Sequence, residues 1–287
     1  MAVLFSIENT PRVGYAVEAM RAQEPASING NSETEILTMK KTCLFSMLAA
    51  GVIFAQGSNC RNVPTAAQLK AALQTPALEG VPALIGGGPI ANVGGLFNGT
   101  RMWAAVVNRD GEVCAFTTGT ADPTQVWPGS QAIAKAKAYT ANAFSLDVLP
   151  LSTTRLYTFT QPGHSLNSLG QSNLFNPEAL AVPGHQGNGG QNKIAGGTIF
   201  FGGGVPTYNA SGKIVGGLGI SGDTACADHE VAKRVRYTLN LNPPGGPSAD
   251  DITYSGADGA SPFTHPLCIN TKRNGVSLGT EANATGY

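Results

Sequence analysis

The sequence predicts an α/β protein of the α+β kind, with an antiparallel sheet flanked by helices. Its patterns follow the order helix, hairpin, helix, three short strands and closing helix, which favours this arrangement. Hydrophobic residues make up 42% of the 287 positions, enough to bury a core, while 37 glycines and 18 prolines indicate long turn-rich connections. Lys plus Arg and Asp plus Glu both total 18, so the basic surface that attracts nucleic acid is not expected.

The first helix and the hairpin have clear local signals. Residues 64–73 predict a helix that Thr65 can cap, with leucines and alanines on one apolar stripe. Residues 102–107 and 112–117 flank a turn containing Asp-Gly, which is typical of a hairpin. The first strand of this hairpin is apolar on both faces, so we expect it at the centre of the sheet.

The second half of the chain begins with the clearest helical pattern, at residues 130–146, which we expect Ser130 to cap. Residues 150–193 show no sustained periodicity and predict an unusually long loop, which implies a functional segment or a lid. Three strands, a helix and a wrapping tail rich in Pro and Gly are then expected at residues 197–201, 206–209, 214–221, 223–241 and 242–287.

Residues 39–57 have the pattern of a secretory signal peptide. Met39 and two lysines form a basic start, residues 42–55 are apolar, and the small residues Ala55 and Gly57 suit signal peptidase. The apolar stretch is shorter than the roughly 20 residues that span a bilayer, and a buried core helix is the alternative. The pattern predicts a periplasmic or secreted protein with no membrane span after cleavage.

This signal divides the chain into three parts. Residues 1–38 lie upstream of a signal that belongs at an N-terminus, so we expect them to be a spurious or disordered extension. Residues 58–287 are expected to form a single domain that ends in the wrapping tail. The four cysteines of that domain predict two disulfides in an oxidising compartment, with three pairings open. They are Cys60, Cys114, Cys226 and Cys268.

Four segments of the domain carry a longer pattern. They are residues 108–116 (NRDGEVCAF), 127–145 (WPGSQAIAKAKAYTANAFS), 201–208 (FGGGVPTY) and 215–229 (VGGLGISGDTACADH). Together they resemble the GlcG/HbpS-like family in its longer exported branch. The resemblance implies a profilin-like fold, frequent homo-oligomers and haem as the first candidate ligand. Lys137 occupies the position of the family's motif lysine, and the resemblance therefore makes it the expected pocket cation.

Haem needs an apolar slot, cations near its propionates and often an axial His, Cys, Met or Tyr ligand. We expect the slot between the helix at residues 130–146 and the strand-helix junction at residues 219–229. His229 is the best candidate contact there, and the preceding Asp223 and Thr224 mark a helix start whose N–H groups can receive an anion. Tyr208 is the remaining expected contact. His164 and His185 lie in the long loop and are more typical of surface residues.

The cysteines and histidines near the end of the domain allow two interpretations. Cys226 and His229 lie three positions apart, and His265 and Cys268 repeat this spacing in reverse, as in a tetrahedral zinc site. The alternative is a disulfide between Cys226 and Cys268, which leaves Cys60 to pair with Cys114. Export favours the disulfides, so we expect no metal at these residues.

The sequence therefore predicts an exported protein that binds haem or a related small ligand. Enzyme templates fit poorly, since Ser130 lacks a Gly-x-Ser-x-Gly frame and no His-Glu-x-x-His motif occurs. Two alternatives remain open. One is an enzyme that degrades haem or acts on a small hydroxy acid, and the other is a structural or sensory module without catalysis.

Overall fold

The computed structural model describes residues 60–75, 92–180 and 190–281. The expected extension, the signal at residues 39–57 and His185 lie outside these ranges. The α-helices of the described part are α1 (Ala66–Gln74), α2 (Ser130–Phe144), α3 (Tyr157–Thr160), α4 (Leu169–Ser172) and α5 (Ala225–Thr238). Its strands are β1 (Trp103–Asn108), β2 (Val113–Thr118), β3 (Gly204–Tyr208), β4 (Ile214–Ser221), β5 (Thr253–Tyr254), β6 (Thr264–His265), β7 (Thr271–Arg273) and β8 (Val276–Gly279).

The first four strands form an antiparallel sheet in the order β2-β1-β4-β3. Trp103, Ala105 and Val107 of β1 are buried in the same cluster as residues of α2. Ala104 and Val106 point to the opposite face and join the cluster that contains residues of α1 and α5. This alternation buries both faces of β1, so its predicted central position and the predicted sheet flanked by helices are confirmed.

Helix α2 lies directly on strand β4, because β4 has glycine where the two backbones meet. A Cβ on Gly219 would stand 1.9 Å from the carbonyl oxygen of Ala134, and one on Gly217 would stand 2.1 Å from that of Ala138. Glycine lacks that atom and permits the close approach. The prediction of a ligand slot between α2 and the junction at residues 219–229 is therefore wrong along β4, because the helix backbone fills that space.

The ends of the helices depend on local side chains. Thr65 caps α1, and Gln68 completes a capping box with it, as the sequence predicts. The expected cap at Ser130 is wrong, because Ser130 is the first residue of α2 and Gly129 occupies the capping position without a side-chain bond. Thr224 caps α5, where its hydroxyl accepts a hydrogen bond from the backbone N–H of Ala227.

The strand expected at residues 197–201 is absent from the structure. Gly196 and Gly197 have positive φ angles of 64° and 72°, which strands do not use. The backbone N–H of Ile199 then donates to Oγ1 of Thr140, at 3.0 Å, rather than to a neighbouring strand. The segment is therefore held by side chains from α2 and its surroundings, and the third strand begins only at Gly204.

The tail expected after α5 carries two small two-stranded sheets, β5-β6 and β7-β8. Disulfides join Cys226 to Cys268 and Cys60 to Cys114, with Cα atoms 5.9 Å and 5.4 Å apart, so the expected pairing is confirmed. The first ties the tail to α5 and the second ties the start of the described chain to β2. No helix in the described ranges is long and apolar enough to cross a membrane.

Candidate ligand-binding cavity

A cavity of about 320 Å³ opens between α3, α4 and the irregular segment at residues 198–201. Much of its lining belongs to the stretch at residues 150–193, which the sequence predicted as an unusually long loop that is either functional or a lid. Its apolar lining residues are Tyr157, Leu169, Ile199, Phe200 and Phe201, and its polar ones are Thr160, Gln161, Ser168, Gln171 and Thr198. Aromatic walls with a polar edge suit a flat, mainly apolar ligand with a few polar substituents.

The aromatic wall of this cavity is fixed by hydrogen bonds to its backbone. The hydroxyl of Thr153 donates to the carbonyl oxygen of Phe201 at 2.7 Å and accepts from the N–H of Gly204 at 3.0 Å. The next ring, Phe200, packs edge-to-face with Phe144 of α2, with centroids 6.4 Å apart. Phe200 and Phe201 are thereby presented to the cavity from a segment that forms no strand.

Lys137 lies behind this wall and not in the cavity lining. Its ammonium group is fully buried, donates to Asp228 Oδ2 at 2.6 Å and to the Ile220 carbonyl at 3.1 Å, and lies 4.9 Å from the centroid of Phe201. Burial lowers the pKa of Lys137, although Asp228 opposes that shift. Burial also raises the pKa of Asp228 to about 6, against the influence of Lys137. The structure therefore makes Lys137 half of a buried ion pair.

Lys135, on the same helix, contacts a different part of the fold from Lys137. Its ammonium group donates to the carbonyl oxygen of Ala179 at 2.8 Å and lies 4.2 Å from the centroid of Phe116. Burial lowers the pKa of Lys135 to about 8. Lys135 thus belongs to the α2 face of the sheet, while Lys137 is directed towards α5.

His229 also lies behind the cavity wall, within a buried network of charges. Its Nε2 is 3.3 Å from Asp251 Oδ1, and Asp251 Oδ2 accepts from Lys233 at 2.8 Å. Burial alone would raise the pKa of Asp251, but the neighbouring His229 ring and Lys233 ammonium hold it well below its usual range. A Cβ on Gly202 would stand 3.1 Å from the Cβ of His229, so His229 packs against Gly202, the residue after Phe201.

Asp223 and Thr224 have partners within the chain. The Asp223 carboxylate accepts from the backbone N–H groups of Leu96, Phe97 and Gly99 at 2.6, 2.8 and 3.2 Å. The Thr224 side chain is occupied as the cap of α5. The two residues that the sequence proposed as an anion site therefore organise the loop before β1 and the start of α5.

Tyr208 lies away from the cavity, and Tyr157 takes a place that the sequence did not assign. The Tyr208 hydroxyl donates to the Leu146 carbonyl at 2.7 Å, and burial raises its pKa to about 12. Tyr157 lines the cavity and packs against His265, with centroids 4.7 Å apart. An aromatic residue in a stretch without periodicity gave too little signal to single out. His164 lies exposed in the turn between α3 and α4.

The structure does not bring together the four residues of the alternative zinc site. Ligand atoms of Cys226, Cys268 and His265 lie within 4.8 Å of one another, but both sulfurs are consumed by the disulfide. His229 is not part of that group and faces Asp251 instead. The Nδ1 of His265 lies 2.7 Å from the carbonyl oxygen of Pro266.

His265 should make the protein sensitive to mild acid. Burial lowers the pKa of His265 from its ordinary value of 6.5 to about 4. Between these values the unfolded chain takes up a proton that the folded chain does not, so stability falls as pH falls. The expected loss from this group is about 3 kcal/mol between pH 7 and pH 4.

Urea unfolding between pH 7 and pH 4 checks this expectation. His265→Gln should flatten the decline, whatever its effect at pH 7, because the titrating group is gone. His164→Gln, which removes an exposed histidine, should leave the decline as in the wild type. Equal slopes for the wild type and His265→Gln would show that His265 is not the group responsible.

Comparison with known proteins identifies the family. Residues 94–236 match the family described as haem degrading protein HbpS-like. This range contains all four segments that carried the sequence resemblance, from residue 108 to residue 229. The chain therefore belongs, through these residues, to the HbpS-like family, and the resemblance is confirmed. None of the curated proteins matches the chain.

Solved structures similar to the chain include PduOC, ORFY and HbpS. PduOC in complex with heme is 23% identical, and the match covers 49% of this chain and 80% of that one, with a TM-score of 0.36. Klebsiella pneumoniae protein ORFY is 22% identical over 48% of this chain and 74% of its own, with a TM-score of 0.35. HbpS is 20% identical over 65% and 99%, with a TM-score of 0.36.

Proposed function

We propose that the protein binds haem, or a related tetrapyrrole, in the cavity between α3, α4 and residues 198–201. The observation that carries this proposal is the match of residues 94–236 to a family described by its action on haem. The cavity supports it, since Phe200, Phe201 and Tyr157 provide aromatic walls for a planar ligand. The sequence predicted a ligand between α2 and the junction at residues 219–229, behind Phe201. The proposal instead places the ligand in the open cavity that Phe201 lines.

The residues of the cavity fit haem in kind. Tyr157 carries the one side chain of an axial-ligand type among the described lining residues, and tyrosinate is a known haem ligand. Thr160, Gln161 and Gln171 offer hydrogen bonds at the polar edge. A volume of about 320 Å³ lies near the lower end for ligand pockets. We therefore propose that an edge of the macrocycle stays in solvent.

The remaining residues of the expected set act, in this proposal, through the cavity wall. Lys137 supports the ring of Phe201, and His229 supports the backbone at Gly202. We propose no ligand contact for Asp223, Thr224 or Tyr208, because each is engaged within the chain. Bound haem would supply the chemistry of its iron, while Lys137 and His229 support the wall that orients it.

A haem titration followed by the Soret band tests the proposal. We expect a saturable shift with one haem per chain, and weaker binding with an altered spectrum for Tyr157→Phe. Tyr139→Phe is the matched control, because Tyr139 packs against Gly111 in the hairpin. No shift at micromolar haem would overturn the proposal. Bleaching of bound haem by added peroxide, faster than that of free haem, would support the alternative of a haem-degrading enzyme.

We also propose that the protein is exported to the periplasm or secreted. The basic start and apolar run of residues 39–57 support export, and two disulfides suit an oxidising compartment. N-terminal sequencing of protein recovered from outside the cytoplasm should place the mature start after Gly57. A start at Met1 in that material would contradict the proposed signal.

A further proposed partner is a second copy of the chain. The turn after α2 exposes Leu146, Val148 and Leu149, with Val148 90% exposed, and an oligomer would cover such side chains. Light scattering should show a homo-oligomer that Val148→Asp dissociates. A wild-type protein that is monomeric at high concentration would rule this out.

A further inference from the structure

A second cavity, of about 350 Å³, lies between the turn that carries Arg155 and the tail of the chain. Its character differs from that of the aromatic cavity, because its lining is mainly charged and polar. Four charged side chains line it: Arg155, Asp251, Asp258 and Arg273.

Three of these four charged side chains form ion pairs within the chain. Arg273 forms a two-pronged pair with Asp258, at 3.0 Å and 2.6 Å, and also donates to the carbonyl oxygen of Ile252. Asp251 is paired with Lys233 at 2.8 Å. These contacts satisfy both carboxylates and one guanidinium without any ligand.

Arg155 is the exception. None of the ion pairs formed by the described residues includes it, and its Nε is buried without a hydrogen-bond acceptor. Its guanidinium carbon lies over the ring of Phe263, 5.4 Å from the centroid, a contact that helps to hold the group in place. A buried donor without an acceptor is costly, and a held guanidinium is a fork suited to a carboxylate. The cavity thus contains a positioned cation that lacks its anion.

We propose that this cavity binds the carboxylate group of a small organic acid through Arg155. Ser248, Thr253 and Asn274 line the same cavity and offer hydroxyl and amide groups to a second polar substituent. The paired Asp251 and Asp258 leave no net positive charge besides that of Arg155, so a single carboxylate balances the site. The inference rests on these contacts, and it can be tested on haem-free protein.

The carboxylate has two possible sources, because Arg155 lies two residues before Tyr157 of the aromatic cavity. One is a free small acid, and the other is a propionate of bound haem. The recognition chemistry is the same in both cases. Lactate added to haem-free protein tests the first source, and haem compared with its dimethyl ester tests the second.

Calorimetric titration of haem-free protein with lactate, against chloride at equal ionic strength, is the primary experiment. We expect saturable lactate binding that weakens about tenfold or more in Arg155→Leu, as befits a lost charge-assisted hydrogen bond. Arg155→Lys should fall between the two, since it keeps the charge and loses the fork. Arg61→Leu is the control, because it removes the same charge from an exposed position near the other disulfide.

Each outcome decides the proposal once thermal unfolding has shown that the variants are folded. Lactate binding that depends on Arg155, with haem affinity unchanged, supports a free acid as ligand. Haem affinity that falls in Arg155→Leu, with no such fall for the dimethyl ester, supports carboxylate recognition with haem as the source. The carboxylate site is overturned if Arg155→Leu leaves lactate binding unchanged and either leaves haem affinity unchanged or weakens haem and its dimethyl ester equally.

Discussion

Replacing Gly219 by alanine should destabilise the protein by at least about 3 kcal/mol, towards the upper range for overpacked sites. The added methyl would stand 1.9 Å from the carbonyl oxygen of Ala134 and 2.5 Å from the N–H nitrogen of Ala138. Both are backbone atoms of α2, so no side chain can move aside. The variant must lift the helix from the sheet, and urea unfolding measures the cost.

Gly129→Ala is the matched control for this substitution. Gly129 precedes α2 in a helical conformation, with φ of −61°, and a Cβ there meets no atom within 4 Å. The same added methyl should therefore be neutral or should stabilise the fold by about 0.5 kcal/mol. Equal effects of the two substitutions would mean that α2 does not lie against β4 as closely as described.

Replacing Lys137 by methionine should cost about 3–5 kcal/mol, because it leaves the buried Asp228 carboxylate without its partner. The side-chain volume is nearly kept, so the loss reports the missing charge. Asp228→Asn in the same chain should recover part of the stability by removing the orphaned charge. Burial raises the pKa of Asp228 while Lys137 holds it down to about 6, so that pKa should be higher in the variant, and the cost of Lys137→Met should shrink as pH falls towards 6 and level off below it.

Lys213→Met is the control for this ion pair. Lys213 pairs with Asp147 at 2.7 Å, but its side chain is 68% exposed. Surface pairs are screened by water and contribute little, so this substitution should leave the urea midpoint nearly unchanged. A loss for Lys137→Met no larger than that for Lys213→Met would contradict the burial of the inner pair.

Much of the fold could be predicted from local sequence signals. The apolar run of β1, the Asp-Gly turn after it and the cap at Thr65 each depend on residues close in the chain. The prediction of a strand at residues 197–201 was wrong because the structure there depends on residues distant in the chain. Its partners are Thr140 and Thr153, which lie more than forty positions away and satisfy the backbone with side-chain hydroxyls.

The candidate site was predicted less well than the fold. The sequence singles out Lys137 through the family's motif, but it does not show that the Asp228 carboxylate, 91 positions later, pairs with it. The same limit hid Tyr157, because the segment around it has no periodicity and gains its shape only by packing on other elements. Residues that looked like ligand contacts because of their chemistry, such as Asp223, proved to be satisfied by the chain itself.

The measurement that tests the central proposal most directly is haem affinity after the aromatic cavity is filled. A Cβ at Gly170 makes only ordinary contacts, 3.4 Å from Phe200 and 3.6 Å from Thr198, so the rest of a leucine there would occupy the cavity. Gly129→Leu adds the same side chain at an open position. We expect Gly170→Leu to abolish the Soret shift while Gly129→Leu retains it. Wild-type haem affinity in a folded Gly170→Leu protein would show that haem does not bind in this cavity.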